Sequence, residues 1–187
     1  MAMSRSPQYL TLVRRGNAVV GLQERRYAPL PCSYPIPFPT AATFTRDTLC
    51  DVASRRGLLD RLEMVGDLAP TAPLSFIVIQ VDGLAELNRF GGTDAGDAAL
   101  RAVADEARSM TRATDLVGRL TGSSFGIVLQ GTGATAAAGV AARLGFHLSQ
   151  LPLMSQPAGV RVSVATGTGA NAGTLPLAAM DSFLHCG

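Results

Sequence analysis

The sequence has few charged residues, few aromatic residues and no tryptophan. Charged residues make up 16% of its 187 positions and aromatic residues 5%. The formal net charge is +2, which is too small to favour nucleic acid or a membrane surface as a partner through a general electrostatic field. Hydrophobic residues make up 47%, enough for a sizeable core, and the length suits one domain with an extension.

Cysteines are scarce and long apolar runs are missing. Cys32, Cys50 and Cys186 form an odd set without repeated spacing, which is typical neither of a disulfide framework nor of a zinc site and favours a reducing compartment. No apolar segment follows Arg5, so no signal peptide is predicted. No window approaches the roughly 18 apolar residues of a membrane helix. The expected location is the cytoplasm.

The first 44 residues differ in pattern from the rest. Residues 7–22 alternate in polarity around Arg15-Gly16-Asn17, which predicts a small hairpin. Five prolines between Pro29 and Pro39 exclude a helix or a central strand there and favour an extended arm. We therefore expect an N-terminal extension over residues 1–44 and a domain over residues 45–187.

Regular periodicity begins after residue 45 and alternates between helical and strand patterns. Helices are predicted over residues 46–65, 83–90, 95–110, 134–150 and 174–184, strands over 74–81, 116–120, 125–129 and 160–168, and a glycine-rich loop over 91–96. This order predicts an α+β protein, an α/β sandwich in which helices pack against a mainly antiparallel sheet.

Four short motifs then follow one another along the chain. Their characteristic residues are Asp47, Leu49, Arg55 and Arg56 in the first, Asp82 and Asn88 in the second, Gly92, Gly96 and Asp97 in the third, and Arg119, Gly122 and Phe125 in the fourth. In this order and spacing, residues from about 45 to 185 resemble the GGDEF domain of diguanylate cyclases, which join two GTP molecules into cyclic di-GMP. The resemblance implies the nucleotidyl-cyclase-like fold of that family, with a central sheet of about five strands.

The signature turn of the resemblance is Thr121-Gly122-Ser123-Ser124-Phe125. The family's chemistry uses two metal ions, and such hard cations need oxygen ligands, normally carboxylates. The resemblance places those ligands at Gln80, Ser123 and Ser124, and a family lysine at Ala85. It therefore implies a degenerate domain with no catalytic residues, no metal and no cyclase activity. The family's terminal A-K-x-x-G-x-N segment would lie past Gly187, so we expect a C-terminal truncation.

A second set of residues matches the family's inhibitory product site. Arg112 and Asp115 form its R-x-x-D pair, and Arg143 stands where the family supplies a further arginine. An arginine fork can donate two hydrogen bonds to guanine O6 and N7 or bind a phosphate, and a carboxylate can accept from the guanine edge. The simpler alternative is a solvated Arg112–Asp115 salt bridge beside an ordinary polar Arg143.

Asn88 and Asp97 match positions that bind guanine in the family. The resemblance thus leaves residual guanine binding open. The alternative that we favour from the sequence alone is structural: Asn88 caps a helix end, and Asp97 starts the next helix, where Asp is preferred.

These matches predict a receptor for cyclic di-GMP that uses Arg112, Asp115 and Arg143, requires no cofactor and signals through an unidentified protein partner or a homodimer. One alternative is a ligand-independent interaction or dimerisation module. Another is a pseudo-cyclase that still binds GTP through Asn88 and Asp97 as an allosteric input.

Overall fold

The structure is a computed structural model that describes residues 9–15, 18–25, 45–152 and 159–184. Its strands are β1 (Tyr9–Arg15), β2 (Ala18–Arg25), β3 (Pro73–Asp82), β4 (Leu116–Arg119), β5 (Ser124–Gln130) and β6 (Gly159–Thr168). Its helices are α1 (Arg55–Leu68), α2 (Leu84–Gly91), α3 (Thr93–Ser109), α4 (Ala134–Ser149) and α5 (Leu175–Leu184), with a 3-10 helix over Gly169–Thr174.

The strands form one sheet in the order β2-β1-β6-β3-β5-β4. Every neighbouring pair is antiparallel. Strands β3 to β6 have the split β-α-β arrangement, in which each helical crossover skips one strand. The predicted fold class is confirmed. The sheet has six strands rather than about five because β1 pairs with β6 and adds the β1–β2 hairpin to the four-stranded sheet.

Helices cover both faces of this sheet. On β3, Ile77 and Ile79 belong to a core shared with α3 and α4, whereas Phe76 and Val78 belong to a core shared with α1 and α5. Successive residues of a strand point to opposite faces. Burial on both faces therefore explains why this segment is a nearly continuous apolar run rather than an alternating one.

The first helix starts later than the predicted position 46. Asp47 Oδ1 accepts hydrogen bonds from the N–H groups of Leu49 at 3.0 Å and Cys50 at 2.9 Å, which folds this segment into a turn. Ala53 then forms a bridge with Gly118 of β4, and α1 begins at Arg55. The prediction was wrong because a side chain that bonds its own neighbouring backbone competes with helix formation.

The predicted glycine-rich loop over 91–96 is also wrong. Gly92 has φ of 77°, a left-handed conformation that glycine adopts readily, and α3 begins at the next residue. Gly96 lies inside α3 against Asn88 of α2. A Cβ at Gly96 would lie 1.9 Å from Asn88 Oδ1, so this glycine allows the two helices to approach.

Several sequence features fall outside the described residues, namely the proline-rich segment, Cys32 and Cys186. Cys50 is described and buried, and burial raises the pKa of its thiol to about 11. In the part of the chain that the structure describes, no helix combines the length and the apolar character needed to cross a membrane.

Candidate ligand-binding site

Arg112, Asp115 and Arg143 line one cavity of about 450 Å³. Arg112 and Asp115 lie in the loop between α3 and β4, and Arg143 lies on α4. Apolar parts of Met110, Leu129 and other residues complete the wall. The structure thus brings together the three residues that the sequence proposes for a dinucleotide.

The two carboxylate oxygens of Asp115 have different surroundings. Oδ2 accepts a hydrogen bond at 3.0 Å from the backbone N–H of Arg112, three residues earlier in the chain, which closes the loop. Oδ1 is buried and has no hydrogen-bond partner of normal geometry among the described residues. An acceptor in that state costs free energy unless a donor reaches it. One oxygen therefore shapes the loop, and the other is buried without a hydrogen bond of normal geometry.

Burial raises the pKa of the Asp115 carboxyl. The Arg112 amide, the positive charge of Arg112 and the Gln130 amide act in the opposite direction and do not overcome the burial. A carboxylate that the fold partly desolvates without full compensation is more frequent in binding sites than elsewhere.

The guanidinium groups of Arg112 and Arg143 are available for a ligand. Neither forms an ion pair within the described residues, although five Arg–Asp ion pairs occur among other side chains there. Both side chains are exposed. The alternative in which Arg112 and Asp115 form a simple salt bridge is wrong, because the contact between them uses the Arg112 backbone and not its side chain.

The signature turn lies at another place, where the ends of β3, β4 and β5 meet. Gln80 Nε2 donates to Ser123 Oγ at 2.9 Å, and the hydroxyls of Thr121 and Ser124 are 2.7 Å apart. Ser124 is 1% exposed, and Phe125 is fully buried in the core. These polar side chains thus satisfy one another. Arg119 also fastens the turn by donating to the carbonyl oxygens of Gly122 at 2.8 Å and Thr121 at 3.2 Å.

The Asp82 carboxylate at the end of β3 is already paired. Arg161 of β6 donates to it twice, at 2.6 Å and 2.8 Å. The sequence singled out Asp82 but missed Arg161, because only the β3–β6 register, which sets Gln80 opposite Arg161, brings that arginine near.

Metal ions do not suit this set of side chains. Over residues 45–152 and 159–184, no cluster of three or more His, Cys, Asp or Glu side chains could hold a metal ion. An amide, two hydroxyls and a carboxylate already bound to an arginine do not supply the charged oxygen ligands that divalent cations prefer.

Asn88 and Asp97 meet at the junction of α2 and α3. Asn88 lies inside α2, and its buried Oδ1 lies against Gly96, the neighbour of Asp97, without a hydrogen-bond partner in the part of the chain that the structure describes. The structural roles expected from the sequence are both wrong: α2 has its N-cap at Gly83 and its C-cap at Gly92, and α3 begins at Thr93. Asp97 lies beyond the first turn of α3, where Asp94 is the acidic residue.

Comparison with known proteins adds relatives to this geometry. The family model described as "Diguanylate cyclase, GGDEF domain" matches residues 44–177. Diguanylate cyclase A of Treponema denticola is 32% identical over 94 residues, which are 50% of this chain and 25% of that protein. Matches to the first curated relatives cover between 15% and 33% of their own lengths.

Two solved structures are similar to this fold. Diguanylate cyclase SiaD of Pseudomonas aeruginosa, solved with its activator SiaC, has a TM-score of 0.59 and 27% identity, over 73% of this chain and 58% of that one. The GGDEF domain of DgcB from Caulobacter crescentus, solved with c-di-GMP, has a TM-score of 0.63 and 18% identity, over 82% of this chain and 94% of that one. At that identity the likeness to DgcB shows the fold alone.

Proposed function

The chain belongs to the GGDEF family of diguanylate cyclase domains, and on that premise we propose that it is a catalytically inactive member that serves as a receptor for cyclic di-GMP. The observation that carries the proposal is the cavity in which Arg112, Asp115 and Arg143 meet. It offers two guanidinium groups without ion-pair partners within the described residues, and a buried carboxylate, that of Asp115, one oxygen of which has no hydrogen bond of normal geometry there.

These groups fit the chemistry of a guanine dinucleotide. A guanine presents O6 and N7 as acceptors, which an arginine fork can bind with two hydrogen bonds. Its N1–H and N2–H groups are donors that suit a carboxylate such as that of Asp115. The second arginine can bind a phosphate or stack on a purine. All three groups thus have a complementary partner in one ligand.

The proposal that the chain is catalytically inactive rests on the signature turn. At the positions that the family resemblance assigns to metal ligands, Gln80 and Ser123 bond each other and Ser124 is buried. Asp82, the nearby carboxylate, is held by Arg161. We infer that this chain cannot place metal ions on a triphosphate, and that its output is a protein contact rather than a product.

Large apolar side chains on the surface are consistent with an output of that kind. Phe90 is 78% exposed and Leu177 66%. Single exposed apolar residues are common in monomers, so they support a contact surface without identifying the partner.

Isothermal titration with cyclic di-GMP tests the receptor. We expect binding in the micromolar range or tighter, and a loss of about tenfold to a hundredfold in affinity for Arg112→Ala, because a hydrogen bond to a charged group contributes about 1.5–3 kcal/mol. Arg56→Ala is the matched control, since Arg56 carries the same charge, is 84% exposed on α1 and lines neither cavity of the α3–β4 loop. Absence of binding by the unmodified protein would overturn the receptor function.

Asp115→Asn separates ligand binding from stability. Asparagine can still accept from the Arg112 N–H, so the loop is expected to keep its shape. A carboxyl whose pKa is raised on folding binds its proton more tightly in the folded state than in the unfolded chain. Its contribution to stability therefore falls as the pH rises from the ordinary aspartate pKa of about 3.9 to the raised pKa of the folded protein. At pH 7 the variant should therefore melt at the same or a higher temperature, yet bind cyclic di-GMP more weakly.

The same carboxylate makes a pH dependence expected in the unmodified protein. Affinity should fall as pH falls through the raised pKa of Asp115, and the fall should begin at a higher pH than for an ordinary aspartate. Asp115→Asn should lack this dependence. Calorimetric titrations at several pH values and a thermal melt give both readings. A variant that melts lower and binds as tightly as the unmodified protein would show that Asp115 is structural only.

A further inference from the structure

A second cavity, of about 240 Å³, adjoins the first, because Arg112 and Asp115 line both. Three further charged residues line the second cavity: Arg46, Asp51 and Arg108. Arg108 lies in the last turn of α3, and the other two belong to the segment that precedes α1. No motif in the sequence connects these three residues with the R-x-x-D pair.

The positive charge in this cavity is only partly neutralised. Asp51 Oδ1 accepts from Arg46 Nη1 at 2.5 Å. Arg108 Nη1 is 3.9 Å from the other oxygen of the same carboxylate, and its side chain is 49% exposed. One aspartate thus serves two arginines, and the contact with Arg108 is too long for a hydrogen bond. Arg108 can turn towards a ligand without breaking a close pair.

We propose that cyclic di-GMP bound at Arg112 and Asp115 extends into the second cavity, where Arg108 binds one of its phosphates. This inference rests on the proposed receptor function. Cyclic di-GMP carries two phosphates. Besides Arg112 and Asp115, which line both cavities, the first cavity has one charged lining residue, Arg143. A guanidinium suits a phosphate because its parallel N–H groups match two phosphate oxygens.

A ligand at Arg108 also contacts the segment that connects the domain to the residues before it. That segment is fixed to β4, because Ala53 N–H donates to Val117 O at 3.1 Å and Arg119 N–H donates to Ala53 O at 2.8 Å. Asp51 within it has φ of 49°, a left-handed conformation that is uncommon outside glycine, asparagine and aspartate. The phosphate would compete with Asp51 for Arg108 and so report occupancy to this segment.

Titration of two variants with cyclic di-GMP tests the assignment. Arg108→Ala should weaken binding about tenfold and reduce the dependence of affinity on salt concentration, because one charged contact to a phosphate is lost. Asp51→Asn should act in the opposite direction and tighten binding severalfold, because it releases Arg108 and removes a negative charge. Asparagine tolerates the positive φ of this position. Arg56→Ala again serves as the control for charge.

The outcomes distinguish this inference from the function on which it rests. Loss of binding in Arg112→Ala together with unchanged affinity and salt dependence in Arg108→Ala would overturn the second-cavity contact and leave the receptor intact. No binding by the unmodified protein would overturn both. Arg108→Lys keeps the charge without the fork and should bind with intermediate affinity, whereas a variant as weak as Arg108→Ala would indicate that the planar group itself is needed.

Discussion

Incubation with GTP and Mg²⁺ or Mn²⁺ should yield no detectable cyclic di-GMP. Two metal ions stabilise the attacking and leaving oxygens in this type of reaction. Removal of a single preorganised electrostatic group from an active site already costs about 10²–10³ in kcat. Here an amide and two hydroxyls, those of Gln80, Ser123 and Ser124, stand in place of the metal-binding groups that the family resemblance implies, so the expected loss is far larger.

Nucleotide chromatography after a long incubation measures this result. An active GGDEF domain in the same buffer is the positive control, and circular dichroism shows that the assayed protein is folded. Cyclic di-GMP formed above the level of a boiled sample would contradict the inactive assignment.

The parts of the fold that follow from local pattern could be predicted from the sequence. The apolar run of β3 has to be buried on both faces, and the structure places it in the middle of the sheet. The R-x-x-D pair and Arg143 could be proposed as one site because the family resemblance fixes their positions relative to the signature turn. Their convergence on one cavity agrees with that proposal.

The features that could not be predicted from the sequence depend on contacts between segments that are distant along the chain. The pair of Asp82 and Arg161 requires the β3–β6 register, which joins residues 79 positions apart. The start of α1 depends on hydrogen bonds that the Asp47 side chain accepts from the N–H groups of Leu49 and Cys50. The second cavity arises where the segment before α1 meets the end of α3, and no motif connects Arg46 with Arg108.

Phe76→Ala is expected to destabilise the protein strongly, because Phe76 belongs to the core on the α1 and α5 face of the sheet. Phe76 is fully buried in the middle of β3. The tip of its ring lies over Gly126 of β5, since a Cβ at that glycine would be 2.6 Å from Phe76 Cζ. Truncation should lower the free energy of unfolding by about 3–5 kcal/mol, because it removes buried apolar surface and leaves a cavity that glycine cannot fill.

Phe90→Ala is the matched control, because this phenylalanine is 78% exposed at the end of α2 and its loss should change stability by no more than about 0.5 kcal/mol. Urea denaturation of both variants gives the two values. A loss below about 1 kcal/mol for Phe76→Ala would show that the core closes over the gap and that β3 is less firmly fixed than its burial implies.

The same variant should keep its affinity for the ligand. Phe76 faces α1 and α5, whereas the cavity of Arg112 and Arg143 is lined by α4, so the folded fraction of Phe76→Ala should bind cyclic di-GMP as tightly as the unmodified protein. Such a result would show that the site depends on its own side chains and not on the overall stability of the domain.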